Sequence, residues 1–174
     1  MEQTSLLPPD IVELAEQVVA ANKSAGRTVT VAESCTGGLV AAALTEVAGS
    51  SAVLERGFVT YSNAAKEQDL RVAGDLIETF GAVSVACVWA MAQGALLRST
   101  ADVAVAISGV AGPDGGTDLK PVGTVVFARA VRGQSCHEDT ELRKFEATDR
   151  AGVRKAATLC ALKLLFPRDS DSSN

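Results

Sequence analysis

The stretch RTVTVAESCTGGLVAAALTEVAG, Arg27 to Gly49, decides the fold. RTVTVAE reads as a strand, and CTGGLVAAALTEVAG reads as a helix that is apolar on most sides and therefore buried. A strand that hands over to a buried helix opens a crossover unit of an α/β sheet. Between the two lies ESCTGG, a polar cluster followed by two glycines. It has two readings. Ser34 or Thr36 caps the helix and the glycines serve packing, or Ser34 is a nucleophile at a helix start, where free N–H groups favour negative charge.

The flanking chain extends the pattern. PPDIVELAEQVVAANKSAG reads as a helix with prolines at its start, an Asp10/Glu13 capping box and Gly26 at its end. AVLERGFVTYS is a second strand, NAAKEQDLRV a short helix with Ser62 or Asn63 as its cap, and Gly74 marks a turn. SVACVWAMAQGALLRS is a buried helix and ADVAVAISG a third strand. VGTVVFARAV and the charged SCHEDTELRKFEA are strands joined by the turn RGQ. Charge of that density suits a sheet edge. TDRAGVRKAATLCALKLLF is a last helix capped by Thr148 or Asp149. The resulting fold class is α/β, a three-layer α/β/α sandwich on a mixed five-stranded sheet with strand 4 antiparallel. One domain is expected over residues 1–167, with a disordered polar tail at 168–174.

This order brings the carboxyl ends of strands 1, 2, 3 and 5 to one sheet edge, where ligands of open α/β sheets bind. The chain leaves that edge at Ser34, at Tyr61 to Lys66, in the glycine-rich loop after Ile107, and at Arg150. A lysine in a desolvated pocket has a lowered pKa and serves as a base, so Lys66 is either the partner of Ser34 or a surface lysine. Tyr61 either donates a hydrogen bond to the site or half-buries its ring. SGVAGPDGGTDLKPVGTV, Ser108 to Val125, matches neither a P-loop nor a dinucleotide fingerprint. Its glycines can present several N–H groups to an anion. Arg150 and Arg154 lie one helical turn apart, either solvated or set to meet an anion.

Composition narrows the function classes. The chain has 174 residues, 47% of them hydrophobic, and a net charge of −5. No basic stripe suits nucleic acid, and no apolar run is long enough to span a membrane. The four cysteines lack metal-type spacing, and without a secretory segment the expected compartment is cytoplasmic. His137 is the only histidine, which disfavours a Ser-His-Asp triad. Cys35 remains a rival nucleophile beside Ser34. No metal and no cofactor is expected.

AESCTGG, TYSNAAKE and SGVAGPDGGTDLKPVGTV, in this order and spacing, closely resemble the CinA C-terminal domain family, the nicotinamide-nucleotide amidohydrolases, over roughly residues 10 to 166. TDRAGVR resembles the family's arginine-bearing segment. The resemblance implies an anticodon-binding-domain-like architecture. It implies hydrolysis of the carboxamide of nicotinamide mononucleotide to nicotinate mononucleotide and ammonia, in pyridine-nucleotide recycling, at a Ser–Lys site. Ser34 matches the nucleophile and Lys66 the base, with Tyr61 nearby. Substrate contacts are expected from Thr36, Gly37, Gly38, Ser108, Gly109, Gly112, Gly115, Gly116 and Arg150. The alternative is a non-catalytic nucleotide-binding or regulatory domain using the same cleft. The partner expected is a small pyridine mononucleotide; the apolar helices would also suit a homodimer. Many relatives carry an N-terminal molybdopterin-binding-like domain, which is not expected here.

Overall fold

The computed structural model describes residues 4–134, 139–146 and 149–172. In chain order the elements are α1 (Pro9–Ser24), β1 (Val29–Glu33), α2 (Leu39–Glu46), β2 (Leu54–Val59), α3 (Asn63–Leu70), α4 (Gly74–Phe80), α5 (Val85–Leu97), β3 (Val103–Gly109), β4 (Thr124–Val131), β5 (Thr140–Lys144) and α6 (Arg150–Leu164). Short 3₁₀ turns follow α2 at Ser50–Ala52 and α6 at Asp169–Ser172. The sheet order is β2-β1-β3-β4-β5. β1 pairs in parallel with β2 and with β3, whereas β3–β4 and β4–β5 are antiparallel. The expected mixed sheet is therefore observed, with β4 reversed and charged β5 at an edge. The chain reverses its winding direction at β1, so a crevice opens between the carboxyl ends of β1 and β3.

The two sheet faces carry side chains of different size. Val31, Val105, Ile107, Val125 and Phe127 pack with the buried residues of α1, α2 and α6. The alternate positions Ala32, Ala104, Ala106, Ala128 and Ala130 pack with those of α5. Strand alternation sorts the two sets, and the small set lets α5 lie close to the sheet. α5 in turn meets α3 closely: a Cβ on Gly94 would stand 2.0 Å from the carbonyl oxygen of Leu70. This contact fixes the far end of the helix that carries Lys66.

Several local expectations need correction. Helix α2 begins at Leu39 rather than at Cys35, because Gly37 and Gly38 take positive φ values of 62° and 97° and turn the chain first. α2 is also less buried than its composition suggested, with Ala42 and Thr45 facing outward. The capping box is absent: α1 starts behind Pro8 without a side-chain cap, and Asp10 pairs instead with Lys155 at 2.8 Å. The turn at Gly74 is the start of α4, a helix too short for its periodicity to show. Ser62 caps α3 and Asp149 caps α6. The tail expected to be disordered is ordered through the turn at 169–172, because the Asp171 carboxylate bonds Arg27 and Arg129. Cys136, His137 and Thr148 lie outside the described residues.

Candidate active site

Ser34 follows the last residue of β1, and its N–H donates to the Ile107 carbonyl of β3 at 3.0 Å. That bond holds it at the mouth of the crevice. The Gly37 N–H closes a tight turn onto the Ser34 carbonyl at 3.0 Å. Glu33, fully buried, turns its carboxylate under the turn and accepts from the N–H groups of Gly38, Val40 and Ala41 at 2.9 to 3.1 Å. The start of α2 is thus already satisfied by a carboxylate. The free helix N-terminus expected beside Ser34 is absent, since Glu33 occupies it.

Lys66 reaches the same place from the opposite wall. It sits in the first turns of α3, 1% exposed, with Nζ 3.2 Å from Ser34 Oγ. Its amine donates to the carbonyl oxygens of Thr60 at 2.8 Å and Tyr61 at 3.4 Å. Among the described residues no carboxylate forms an ion pair with it. Burial therefore lowers its pKa below the ordinary lysine value, only partly opposed by the Cys87 and Cys35 thiols. A neutral amine has two N–H bonds and one lone pair. With two carbonyls accepting, the lone pair is left for the Ser34 hydroxyl.

The cleft holds about 220 Å³ and is lined by Ser34, Cys35, Tyr61, Asn63, Lys66, Ala82, Val83, Ser108, Gly109, Ala111 and Arg150. Ser34, Tyr61, Lys66, Ser108, Gly109 and Arg150 are thus brought together as expected. Arg150 bridges the rim: one N–H donates to the Gly112 carbonyl at 2.6 Å and another to the Tyr61 hydroxyl at 2.7 Å. Tyr61 therefore meets Lys66 through its carbonyl, and its hydroxyl is held by Arg150.

Other candidate residues lie outside the lining. Thr36 is fully buried, its hydroxyl without a partner among the described residues, and it is not the cap of α2. Gly37 and Gly38 shape the turn behind Ser34. Gly115 and Gly116 sit on the exposed part of the loop, whose base is tied by paired bonds between Val110 and the Gly123–Thr124 segment at 2.8 Å. Gly112 is needed for close approach, since a Cβ there would stand 2.6 Å from Val122. Arg154 turns inward to the carbonyls of Cys35 at 3.2 Å and Thr36 at 3.0 Å.

Cys35, the rival nucleophile, also lines the cleft. Burial pushes its thiol up to about 11, with Glu33 adding to the effect, so the nucleophilic thiolate is disfavoured at neutral pH. Ala82 and Val83 were missed because they follow α4, which the sequence did not reveal. A larger cavity of about 540 Å³ lies beside α4 and α5, but among the described residues no charged side chain lines it, and its Ser84 is spent as the cap of α5.

Known proteins resemble this chain in sequence and in fold. The CinA C-terminal domain matches residues 11–168. A nicotinamide-nucleotide amidohydrolase PncC from Escherichia coli is 52% identical over 158 residues, covering 90% of this chain and 93% of that protein. A CinA-like protein from Mycolicibacterium vanbaalenii is also 52% identical, but the match spans only 33% of that longer protein. Among solved structures, the competence/damage-inducible protein CihA from Agrobacterium tumefaciens superposes with a TM-score of 0.86 at 46% identity, covering 93% of this chain and 97% of that one.

Proposed function

The chain belongs to the CinA C-terminal domain family, and from that premise we propose that it is a nicotinamide-nucleotide amidohydrolase working through Ser34 and Lys66. Its substrate is nicotinamide mononucleotide, its products are nicotinate mononucleotide and ammonia, and its place is in pyridine-nucleotide recycling. One observation carries the mechanism: a buried lysine, without a carboxylate partner among the described residues, gives its two N–H bonds to carbonyls and faces Ser34 Oγ at 3.2 Å.

Lys66 takes the Ser34 proton as Oγ bonds to the carboxamide carbon. The carbonyl electrons move to oxygen, where main-chain N–H groups of the nucleophile turn meet the charge. Protonated Lys66 then gives its proton to the amide nitrogen, the C–N bond breaks, and ammonia leaves an ester on Ser34. Water attacks that ester while Lys66 takes its proton, and Lys66 returns a proton to Oγ as the carboxylate departs. A cleft of 220 Å³ is smaller than the roughly 300 Å³ at the low end for whole drug-sized ligands. The pyridine carboxamide fills it between Ala82, Val83 and Ser108. The ribose and phosphate then extend over the rim, toward Arg150 and the loop that it ties.

The test is direct. Purified protein given nicotinamide mononucleotide should release ammonia, and Ser34→Ala and Lys66→Ala should each abolish turnover while circular dichroism stays unchanged. Binding without ammonia release would instead support a regulatory nucleotide-binding domain. A dead Cys35→Ala beside a live Ser34→Ala would move the nucleophile by one residue.

A further inference from the structure

Arg154 is conspicuous among the groups around the cleft. It stands on α6, distant in sequence from the nucleophile turn, yet it donates to two consecutive carbonyls of that turn, Nε to Cys35 O and Nη2 to Thr36 O. It does not line the cleft.

The peptide planes of the turn show the consequence. The Ser34 carbonyl accepts from the Gly37 N–H, the Cys35 carbonyl from Arg154 Nε, and the Thr36 carbonyl from Arg154 Nη2. In a trans peptide the N–H points opposite to the C=O. The plane joining Cys35 to Thr36 is therefore set by Arg154 directly. The plane joining Ser34 to Cys35 is set through Gly37, whose own plane Arg154 also holds. What these planes leave over are the N–H groups of Cys35 and Thr36, which have no oxygen acceptor among the described residues and only the Cys35 sulfur beside them. Both lie close enough to the Cys35 sulfur to favour its thiolate, and Cys35 faces the cleft. Sulfur is a weak acceptor, so both N–H groups remain poorly satisfied, and two such donors beside a nucleophile mark a place for an oxyanion. The guanidinium on the Cys35 carbonyl also polarises that peptide and strengthens its N–H end, that of Thr36.

We propose that the N–H groups of Cys35 and Thr36 form the oxyanion-binding pair, and that Arg154 is the positioning residue that sets their direction from behind. The proposal rests on Ser34 being the nucleophile. It adds a task to a residue whose spacing from Arg150 alone suggested an anion contact.

The experiment compares Arg154→Met, Arg154→Lys and a control on the same helix, Lys155→Met, which loses only a surface pair with Asp10. Two readouts are used: steady-state turnover of nicotinamide mononucleotide, and the rate at which a fluorophosphonate labels Ser34. Labelling needs the nucleophile and its oxyanion donors but not the nucleotide site. Arg154→Met should lower kcat about a hundredfold, the scale of one lost oxyanion donor, with KM within about threefold and labelling slowed in parallel. Arg154→Lys keeps the charge but cannot span two carbonyls in a fixed fork, so it should fall between, and it decides the matter should Arg154→Met fail to fold. Lys155→Met should match the wild type. A rise in KM at unchanged kcat would make Arg154 a phosphate contact and overturn the proposal, as would unimpaired labelling in a folded Arg154→Lys. Wild-type protein that is labelled at Ser34 but leaves nicotinamide mononucleotide intact would refute the substrate assignment alone.

Discussion

Lys66 and Arg129 are each only 1% exposed, yet the fold holds them in opposite ways. Arg129, near the end of the sheet away from the cleft, pairs with Asp171 at 2.7 Å and Asp139 at 3.4 Å and donates to the Leu164 carbonyl at 2.9 Å. Among the described residues Lys66 has carbonyls and a hydroxyl as partners but no carboxylate. A buried cation with anionic partners keeps its charge and ties elements together. One left with neutral dipoles is pressed to give up its proton, which is what a base beside a serine requires. Arg129 is thus part of the architecture, and Lys66 is set up for chemistry.

The comparison is broken most severely at Lys66. Lys66→Met should lose about 10²- to 10⁴-fold in kcat, the usual worth of a positioned base, while becoming more stable than the wild type. The sign follows from the lowered pKa. The folded state binds fewer protons than the unfolded one between the depressed value and 10.5, so the penalty of burying Lys66 is complete below the folded pKa and fades as pH rises toward 10.5. Melting curves of both proteins from pH 6 to pH 10 should therefore converge. Wild-type kcat should rise over the same span as Lys66 is deprotonated. A rate that climbs only at the ordinary lysine value would contradict this reading.

At the other cation the effect should fall on stability. Arg129→Met takes from the Asp171 carboxylate one of its two arginines, leaving Arg27, and should cost about 3 kcal/mol in urea unfolding, the low end for a broken buried pair, with the kinetic constants of the folded protein unchanged. Gly94→Ala comes next. Its Cβ would meet the Leu70 carbonyl at 2.0 Å, so about 1–3 kcal/mol of overpacking is expected, together with a lower kcat, because α3 carries Lys66. The smallest change is Asp171→Asn. Burial pushes the Asp171 carboxyl up, but Arg129 and the Arg168 N–H hold it down to about 2. Its contribution to stability is present above about 3.8 and is lost as pH falls through about 2. The variant should be less stable at neutral pH and should lack that acid-dependent step.

Much of this was legible from the residues. Strand runs such as VAVAIS carry their own signal, and the connections between them force the parallel and antiparallel pairings, so the convergence of Ser34, Lys66, Ser108 and Arg150 followed from topology. α4 was not legible, because a seven-residue helix with Ile77 as its buried residue leaves no period to read, and Ala82 and Val83 were hidden with it. The roles of Glu33 and Arg154 were not legible for another reason. A carboxylate at a strand end and an arginine near a helix start look like solvated charges until the backbone groups that they satisfy are known.

The sequence by itself therefore determined the fold class, the family and the cast of the site, because periodicity, turn residues and motif spacing are local. Tertiary structure alone decided protonation and direction. Whether Lys66 is neutral depends on which carboxylates are absent around it, and whether the Cys35 and Thr36 N–H groups face a substrate depends on an arginine more than a hundred residues away. Both are properties of neighbours in space, which no short stretch of sequence contains.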